Sequence, residues 1–87
     1  MLSIKVLGPG CSNCERLKAA TREALGILGA DGRVEAVTDR AQFRAYGLVA
    51  TPGLVVNEKL VCGGRVPEAS EIVSMLATVL AEEKPAS

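Results

Sequence analysis

The sequence predicts an α/β fold in which a four-stranded mixed sheet is flanked by helices, in the order β-α-β-α-β-β-α. Its 87 residues are too few for two ordinary domains, and 48% apolar against 23% charged residues is a globular composition. Short apolar runs alternate with segments of three- and four-residue periodicity, separated by Gly and Pro. The first β-α-β unit is short enough for a right-handed crossover between parallel strands, and a hairpin then adds antiparallel strands.

The first strand is predicted over Leu2–Leu7 and ends at the breaker Gly8-Pro9-Gly10. A helix follows over Ser12–Leu28, and Ser12 with Glu15 fits a capping box, so the helix begins within a residue of Cys11. Residues spaced three and four apart predict its buried face. They are Cys14, Leu17, Thr21, Ala24, Leu25 and Leu28.

The middle of the chain predicts a strand, a short helix and a hairpin. Alternating side chains indicate a strand over 33–38, and Asp39 with Gln42 fits the capping box of a short helix. Two apolar runs at 54–56 and 59–62 then form the strands of the hairpin. The turn type of this hairpin stays open, because its second central residue is a glutamate, which is unfavourable in a type I′ turn.

The end of the chain predicts a last helix, with Pro67 in its first turn. Five apolar residues supply its buried face: Ile72, Val73, Leu76, Val79 and Leu80. We expect one domain over residues 1–81 and a short polar tail over residues 82–87.

Composition excludes several classes of function. Ten Lys and Arg balance ten Asp and Glu, which argues against binding to nucleic acid or to a membrane surface by bulk charge. Without His, the chain has no Ser-His or Cys-His relay and no imidazole metal ligand. No signal peptide pattern and no long apolar run is present, so we expect a cytoplasmic protein that does not associate with membranes.

Cys11 and Cys14 form a C-x-x-C motif at the junction between a strand and a helix. Residues three apart on a helix are neighbours, and the positive helix N-terminus stabilises a thiolate. We therefore expect Cys11 to attack a disulfide and the more buried Cys14 to resolve the mixed disulfide. Two alternatives stay open, namely unreactive structural thiols and half of a metal site, although two cysteines supply only two of the four ligands of closed zinc sites.

Three segments carry a resemblance to a known family. They are Gly8-Pro9-Gly10-Cys11-Ser12-Asn13-Cys14, Tyr46-Gly47-Leu48-Val49-Ala50-Thr51-Pro52 and Gly63-Gly64-Arg65-Val66-Pro67. Through them the chain resembles the thioredoxin/glutaredoxin superfamily over residues 3–80. It is most similar there to the small prokaryotic thioredoxin-like proteins called redox-active disulfide proteins.

The resemblance implies a thioredoxin-like fold and thiol–disulfide oxidoreductase activity without an organic cofactor. It implies a cis Thr51–Pro52 bond beside the cysteine pair, where the backbone positions an extended substrate. A protein disulfide and a disulfide reductase are the implied partners. Gly63 and Gly64 resemble the glycine pair that contacts glutathione or another small thiol in glutaredoxins, although two glycines also suit a turn between a strand and a helix.

The third cysteine, Cys62, is less determined. Strand alternation places it on the same side as Leu60, where a small buried thiol is the simplest interpretation. The alternative is an accessory thiol that faces the cysteine pair.

The chain departs from the family pattern at three places. Gly10 replaces the aromatic residue common before the first cysteine, and Ser12-Asn13 replaces the Pro-Tyr of glutaredoxins. The buried carboxylate of the thioredoxin first strand is missing, and Lys5 lies near its position, where it either assists Cys14 or reaches to water. A thiolate metal-binding module or metallochaperone and a non-catalytic redox sensor remain alternative functions.

Overall fold

A computed structural model describes residues 2–10 and 12–83, and these residues form the predicted series of elements. In chain order the elements are β1 (Leu2–Leu7), α1 (Ser12–Leu28), β2 (Gly32–Val37), α2 (Arg40–Ala45), β3 (Gly53–Val56), β4 (Lys59–Gly63) and α3 (Ala69–Glu83). The α/β prediction and its element order are therefore confirmed. Within this part of the chain, no helix has the length and apolar character needed to cross a bilayer.

The four strands form one mixed sheet in the order β2-β1-β3-β4. β1 pairs in parallel with β2 and antiparallel with β3, and β3 pairs antiparallel with β4. The two central strands are the most buried, and every residue of β3 is buried. The carboxyl end of β1 and the amino end of β3 meet where Leu7 pairs with Gly53, and the segments around this point form the candidate site described below.

Two apolar clusters cover the two faces of the sheet. The larger cluster joins α1 and α3 to residues of β1 and β3 such as Ile4 and Leu54. The smaller cluster packs Phe43 of α2 against Leu7 and Val55. The predicted buried face of α1 is confirmed for Cys14, Leu17, Thr21, Ala24 and Leu25, while Leu28 is half-buried.

The hairpin between β3 and β4 closes with a type I′ turn, because both central residues have positive φ, 50° at Asn57 and 69° at Glu58. The sequence left this turn type open because glutamate is unfavourable there. Contacts with β1 hold both central residues, Asn57 through Ser3 and Glu58 through Lys5. The backbone N–H of Ser3 donates to Oδ1 of Asn57 at 2.8 Å, and the N–H of Asn57 donates to the carbonyl of Ser3 at 2.7 Å.

The last helix begins later than predicted. Pro67 lies two residues before α3 rather than in its first turn, and the Ile72 N–H donates to the carbonyl of Glu68 at the helix start. The helix extends to Glu83, and the domain boundary at residue 81 stays a prediction. The rest of the predicted polar tail, residues 84–87, lies outside the described residues.

The predicted side of Cys62 is wrong, and a β-bulge is the reason. Leu54 pairs with Cys62, but the next residue of β3, Val55, pairs with Leu60, so β4 contains one extra residue, Val61. A bulge interrupts the two-residue alternation of a strand. Cys62 therefore packs against the α1/α3 cluster, while Leu60 packs against the α2 cluster on the other face.

Candidate active site

The structure places Cys14 in the first turn of α1, with only 4% of the residue exposed. It is part of the α1/α3 cluster, and its Sγ lies directly against Gly8 at the end of β1. A side chain at Gly8 would collide with this sulfur and would also approach the Cα of Pro52 to 4.0 Å. Cys11, the predicted nucleophile, lies outside the described residues.

The Thr51–Pro52 peptide bond is cis, as the family resemblance implies. Pro52 is buried beside Gly8, whereas Thr51 is exposed. The carbonyl of Pro52 accepts a hydrogen bond of 2.9 Å from the N–H of Gly64. Three separate segments of the chain, the loop after β1, the loop before β3 and the end of β4, thus converge at one end of the sheet.

Gly63 and Gly64 lie next to the loop before β3. A Cβ at Gly63 would come within 2.7 Å of Cδ1 of Leu48, and Gly64 has a φ of +82°, which favours glycine. Close packing and a turn therefore account for both glycines, in line with the alternative interpretation of the sequence. Their contact with glutathione or another small thiol stays a prediction.

Cys62 is a half-buried free thiol on the same face of the sheet as Cys14. Arg65 lies near it and forms an ion pair of 2.9 Å with Glu71. The hydrogen bond to Glu71, and to a lesser extent the negative charge of a Cys62 thiolate, raise the pKa of Arg65. An accessory role for Cys62 is a prediction that these contacts do not test.

Lys5 does not assist Cys14, because its side chain lies on the opposite face of the sheet. Its Nζ donates to the hydroxyl of Tyr46 at 2.8 Å and to Oε1 of Glu58 at 2.9 Å, and the Tyr46 hydroxyl donates to Oε2 of Glu58 at 2.6 Å. These hydrogen bonds, first that of Tyr46, raise the pKa of Lys5 and lower the pKa of Glu58.

A cleft of about 290 Å³ opens beside the converging loops, on the α2 side of the sheet. Its walls are formed by Pro9, Arg40, Phe43, Arg44, Leu48 and Thr51. Pro9 is two residues before Cys11, and Thr51 directly precedes Pro52. Sequence reasoning missed this cleft. The available signal was the spacing of Arg40 and Arg44, which places two arginines on one face of a short helix.

The metal-site alternative involves Cys11, which lies outside the described residues, and it stays a prediction. Among residues 2–10 and 12–83, no three Cys, Asp or Glu side chains lie close enough to hold a metal ion. The fold also differs from the β-α-β-β-α-β order of ferredoxin-like metallochaperones, which ends on a strand, because the last element of the described residues is α3.

Comparisons with known proteins identify the family of the chain. Residues 2–77 match the sequence profile of a family described as thioredoxin domain. The chain belongs to the thioredoxin family. This thioredoxin-family chain is 39% identical over 77 residues to a protein named thioredoxin from Methanothermobacter thermautotrophicus, covering 88% of the chain and 100% of the relative. It is 30% identical over 80 residues to a thioredoxin from Methanocaldococcus jannaschii, covering 92% of each protein.

A solved structure described as that of a malarial protein supports the thioredoxin-like fold alone. It superposes with a TM-score of 0.65 and 8% sequence identity, covering 90% of this chain and 96% of the other. From the family and its two archaeal relatives, the chain is a thioredoxin-like redox protein.

Proposed function

We propose that this thioredoxin-family protein is a thiol–disulfide oxidoreductase that exchanges electrons through a Cys11–Cys14 dithiol and disulfide. The observation that carries the proposal is the position of Cys14. Its sulfur lies against Gly8, which also adjoins Pro52, in the first turn of the helix that directly follows Cys11. Thr51 and Pro52 then position the disulfide partner at the same end of the sheet.

The helix start supports different roles for the two cysteines. Unpaired backbone N–H groups and the positive end of the helix dipole favour a thiolate at the N-terminus of 17-residue α1, which Cys11 precedes. Ser12 and Asn13 are exposed, whereas Cys14 is 4% exposed. A bulky disulfide therefore reaches Cys11 first, and Cys14 reacts only with a sulfur already bound to the protein.

The exchange consists of two displacement steps. The Cys11 thiolate attacks one sulfur of the substrate disulfide, so a Cys11–substrate bond forms and the other substrate sulfur leaves as a thiolate. Cys14 loses its proton to solvent and attacks Sγ of Cys11, which releases the second substrate thiolate. Two electrons pass from the dithiol to the substrate, whose thiolates take up protons, and the protein is left with a Cys11–Cys14 disulfide.

The partners of this reaction are a protein disulfide and a disulfide reductase, or a small thiol that restores the dithiol. The domain proposed to carry it spans residues 1–81, and a cytoplasmic location remains a prediction. Neither an organic cofactor nor a metal is needed for the balance of electrons, because the disulfide partner accepts both.

A redox titration with alkylation tests the proposal. The protein is equilibrated in thiol buffers of graded potential, and its cysteines are trapped and mapped by mass spectrometry. We expect one reversible two-electron transition that joins Cys11 to Cys14, with a tenfold change in the ratio of forms per about 30 mV. Cys62→Ser should leave this transition in place, which makes it the matched control.

Single variants test the order of attack. Cys14→Ser should accumulate a mixed disulfide at Cys11 with a peptide disulfide, because the resolving thiol is gone. Cys11→Ser should accumulate none in the folded protein, because Cys14 is buried. The proposal is wrong if no buffer produces the Cys11–Cys14 disulfide, or if the two variants trap substrate equally well.

A further inference from the structure

We propose that Arg40 and Arg44 form, with the cleft between the loop after β1 and the loop before β3, a subsite that binds a carboxylate group of the disulfide substrate. This inference rests on the proposed exchange function and names the substrate class that the site prefers. Its occupant is an acidic side chain or terminal carboxylate next to the disulfide, carried by a peptide segment or by a small acidic thiol.

The cleft lies between the two loops that flank the cysteine motif and the cis peptide bond. The cleft is bounded by Pro9, two residues from Cys11, and by Thr51, directly before Pro52. Two residues of chain span at most about 7 Å, so a group that occupies the cleft lies near a sulfur in reaction with Cys11. At about 290 Å³ the cleft is at the lower end of ligand pockets, which range over ~300–1,000 Å³, so it suits one side chain rather than an organic cofactor.

The positive charge of the two arginines favours an anionic occupant. Arg40 and Arg44 are both exposed, four residues apart on α2, and both line the cleft. Within residues 2–10 and 12–83, no ion pair or side-chain hydrogen bond engages either guanidinium. The neighbouring carboxylate of Asp39 accepts from the N–H of Ala41 at 2.9 Å and caps the helix. Two neighbouring guanidinium groups that no described carboxylate neutralises favour an anion, and a carboxylate matches the planar donor fork of arginine.

The apolar walls of the cleft favour an occupant with an aliphatic stem. Phe43 and Leu48 provide apolar surface between the arginines and the loops, and Phe43 is packed into the core of the α2 face. A carboxylate on a short aliphatic stem fits such a surface, because the stem contacts the apolar wall and the charged end reaches the guanidinium groups. A phosphate or sulfate would use the charge but not the apolar wall.

Paired disulfides test the subsite. One arm uses the symmetric disulfide of 3-mercaptopropionic acid and that of its amide. The other uses eight-residue peptide disulfides with Glu or Gln next to the cysteine. The rate of mixed-disulfide formation at Cys11 is measured in Cys14→Ser/Cys62→Ser protein. We expect the anionic member to react about 5–10-fold faster at ~0.01 M ionic strength, and the preference to vanish near ~1 M, where the Debye length is ~3 Å.

Matched double variants separate the subsite from net charge. Arg40→Gln/Arg44→Gln should lose the preference for the anionic disulfide and keep the rate with the neutral one. Arg22→Gln/Arg33→Gln removes the same charge from exposed positions, and Arg33 pairs with Ser3 at the opposite end of β1, so this control should keep the preference.

The outcomes are distinguishable. Faster reaction of the anionic disulfide in both arms assigns the subsite to carboxylates of small thiols and of peptides alike. Faster reaction of the anionic disulfide in the peptide arm alone assigns the subsite to protein segments. Equal rates for anionic and neutral disulfides, with rapid reaction of both, overturn the subsite and leave the exchange function intact. No reaction of Cys11 with any disulfide overturns both proposals.

Discussion

Gly8 matters to the candidate active site because it lacks a side chain. Its backbone N–H donates to the carbonyl of Val37 at 3.0 Å and continues the pairing of β1 with β2. Its Cα faces the sulfur of Cys14, which occupies the space that a Cβ would fill. Gly8 does not have a positive φ, so the requirement for glycine here is steric and comes from the cysteine rather than from the backbone.

Gly8→Ala should destabilise the protein by about 1–3 kcal/mol, the usual cost of forcing an extra carbon into a packed site. Gly26→Ala is the matched control, because it lies in α1 with no atom within 4 Å of an added Cβ. It should stabilise the protein by about 0.5–1 kcal/mol through helix propensity. Urea unfolding under reducing conditions measures both, and equal effects would contradict the contact between Gly8 and Cys14.

At the scale of elements, the β3–β4 hairpin is held by side chains outside it. Lys5 of β1, Tyr46 after α2 and Glu58 in the turn form a closed ring of hydrogen bonds. Lys5 Nζ also lies 5.4 Å from the centre of the Tyr46 ring. The three hydrogen bonds join the turn, the first strand and the α2 segment. They therefore fix the element that carries Arg40 and Arg44 against the sheet.

Glu58→Gln should remove a contribution to stability that depends on pH. The pKa of Glu58 is lowered in the folded protein by the hydrogen bonds of Tyr46 and Lys5. Its contribution is therefore complete above the ordinary value of 4.5 and is lost as the pH falls through the lower folded value. The midpoint of urea unfolding should be lower in Glu58→Gln than in the wild type at neutral pH, and the difference should shrink in acid.

Glu23→Gln serves as the control for this pH dependence, since Glu23 is exposed on α1. The midpoint of urea unfolding of Glu23→Gln should equal that of the wild type at every pH. A difference between Glu58→Gln and the wild type that stays constant down to the lowest pH would mean that the carboxylate charge does not stabilise the hairpin.

At the scale of the whole molecule, the sequence predicted what depends on local spacing. The element order and the buried face of α1 follow from periodicity, and the position of Cys14 on that face follows from its distance to Leu17 and Thr21. The side of Cys62 did not follow, because a bulge at Val61 is set by pairing with β3 rather than by β4 itself.

The cleft could not be predicted for a related reason. Its walls come from the loop after β1, from α2 and from the loop before β3, and only the folded sheet brings these segments together. Spacing along the chain shows that Arg40 and Arg44 share a helix face. It does not show that this face lies beside Pro9, because that proximity depends on the parallel crossover and on the pairing of β3 with β1.

Access to Cys14 should depend on the stability of the whole α1/α3 layer. Leu76 of α3 is fully buried in the same cluster as Cys14. Leu76→Ala should cost about 2–5 kcal/mol. In a Cys11→Ser/Cys62→Ser background, alkylation of Cys14 should then accelerate about 30-fold or more, since labelling follows the open population. Val49→Ala, at a residue 99% exposed, should change this rate less than about twofold. Equal labelling in both variants would mean that Cys14 reacts without opening of the core.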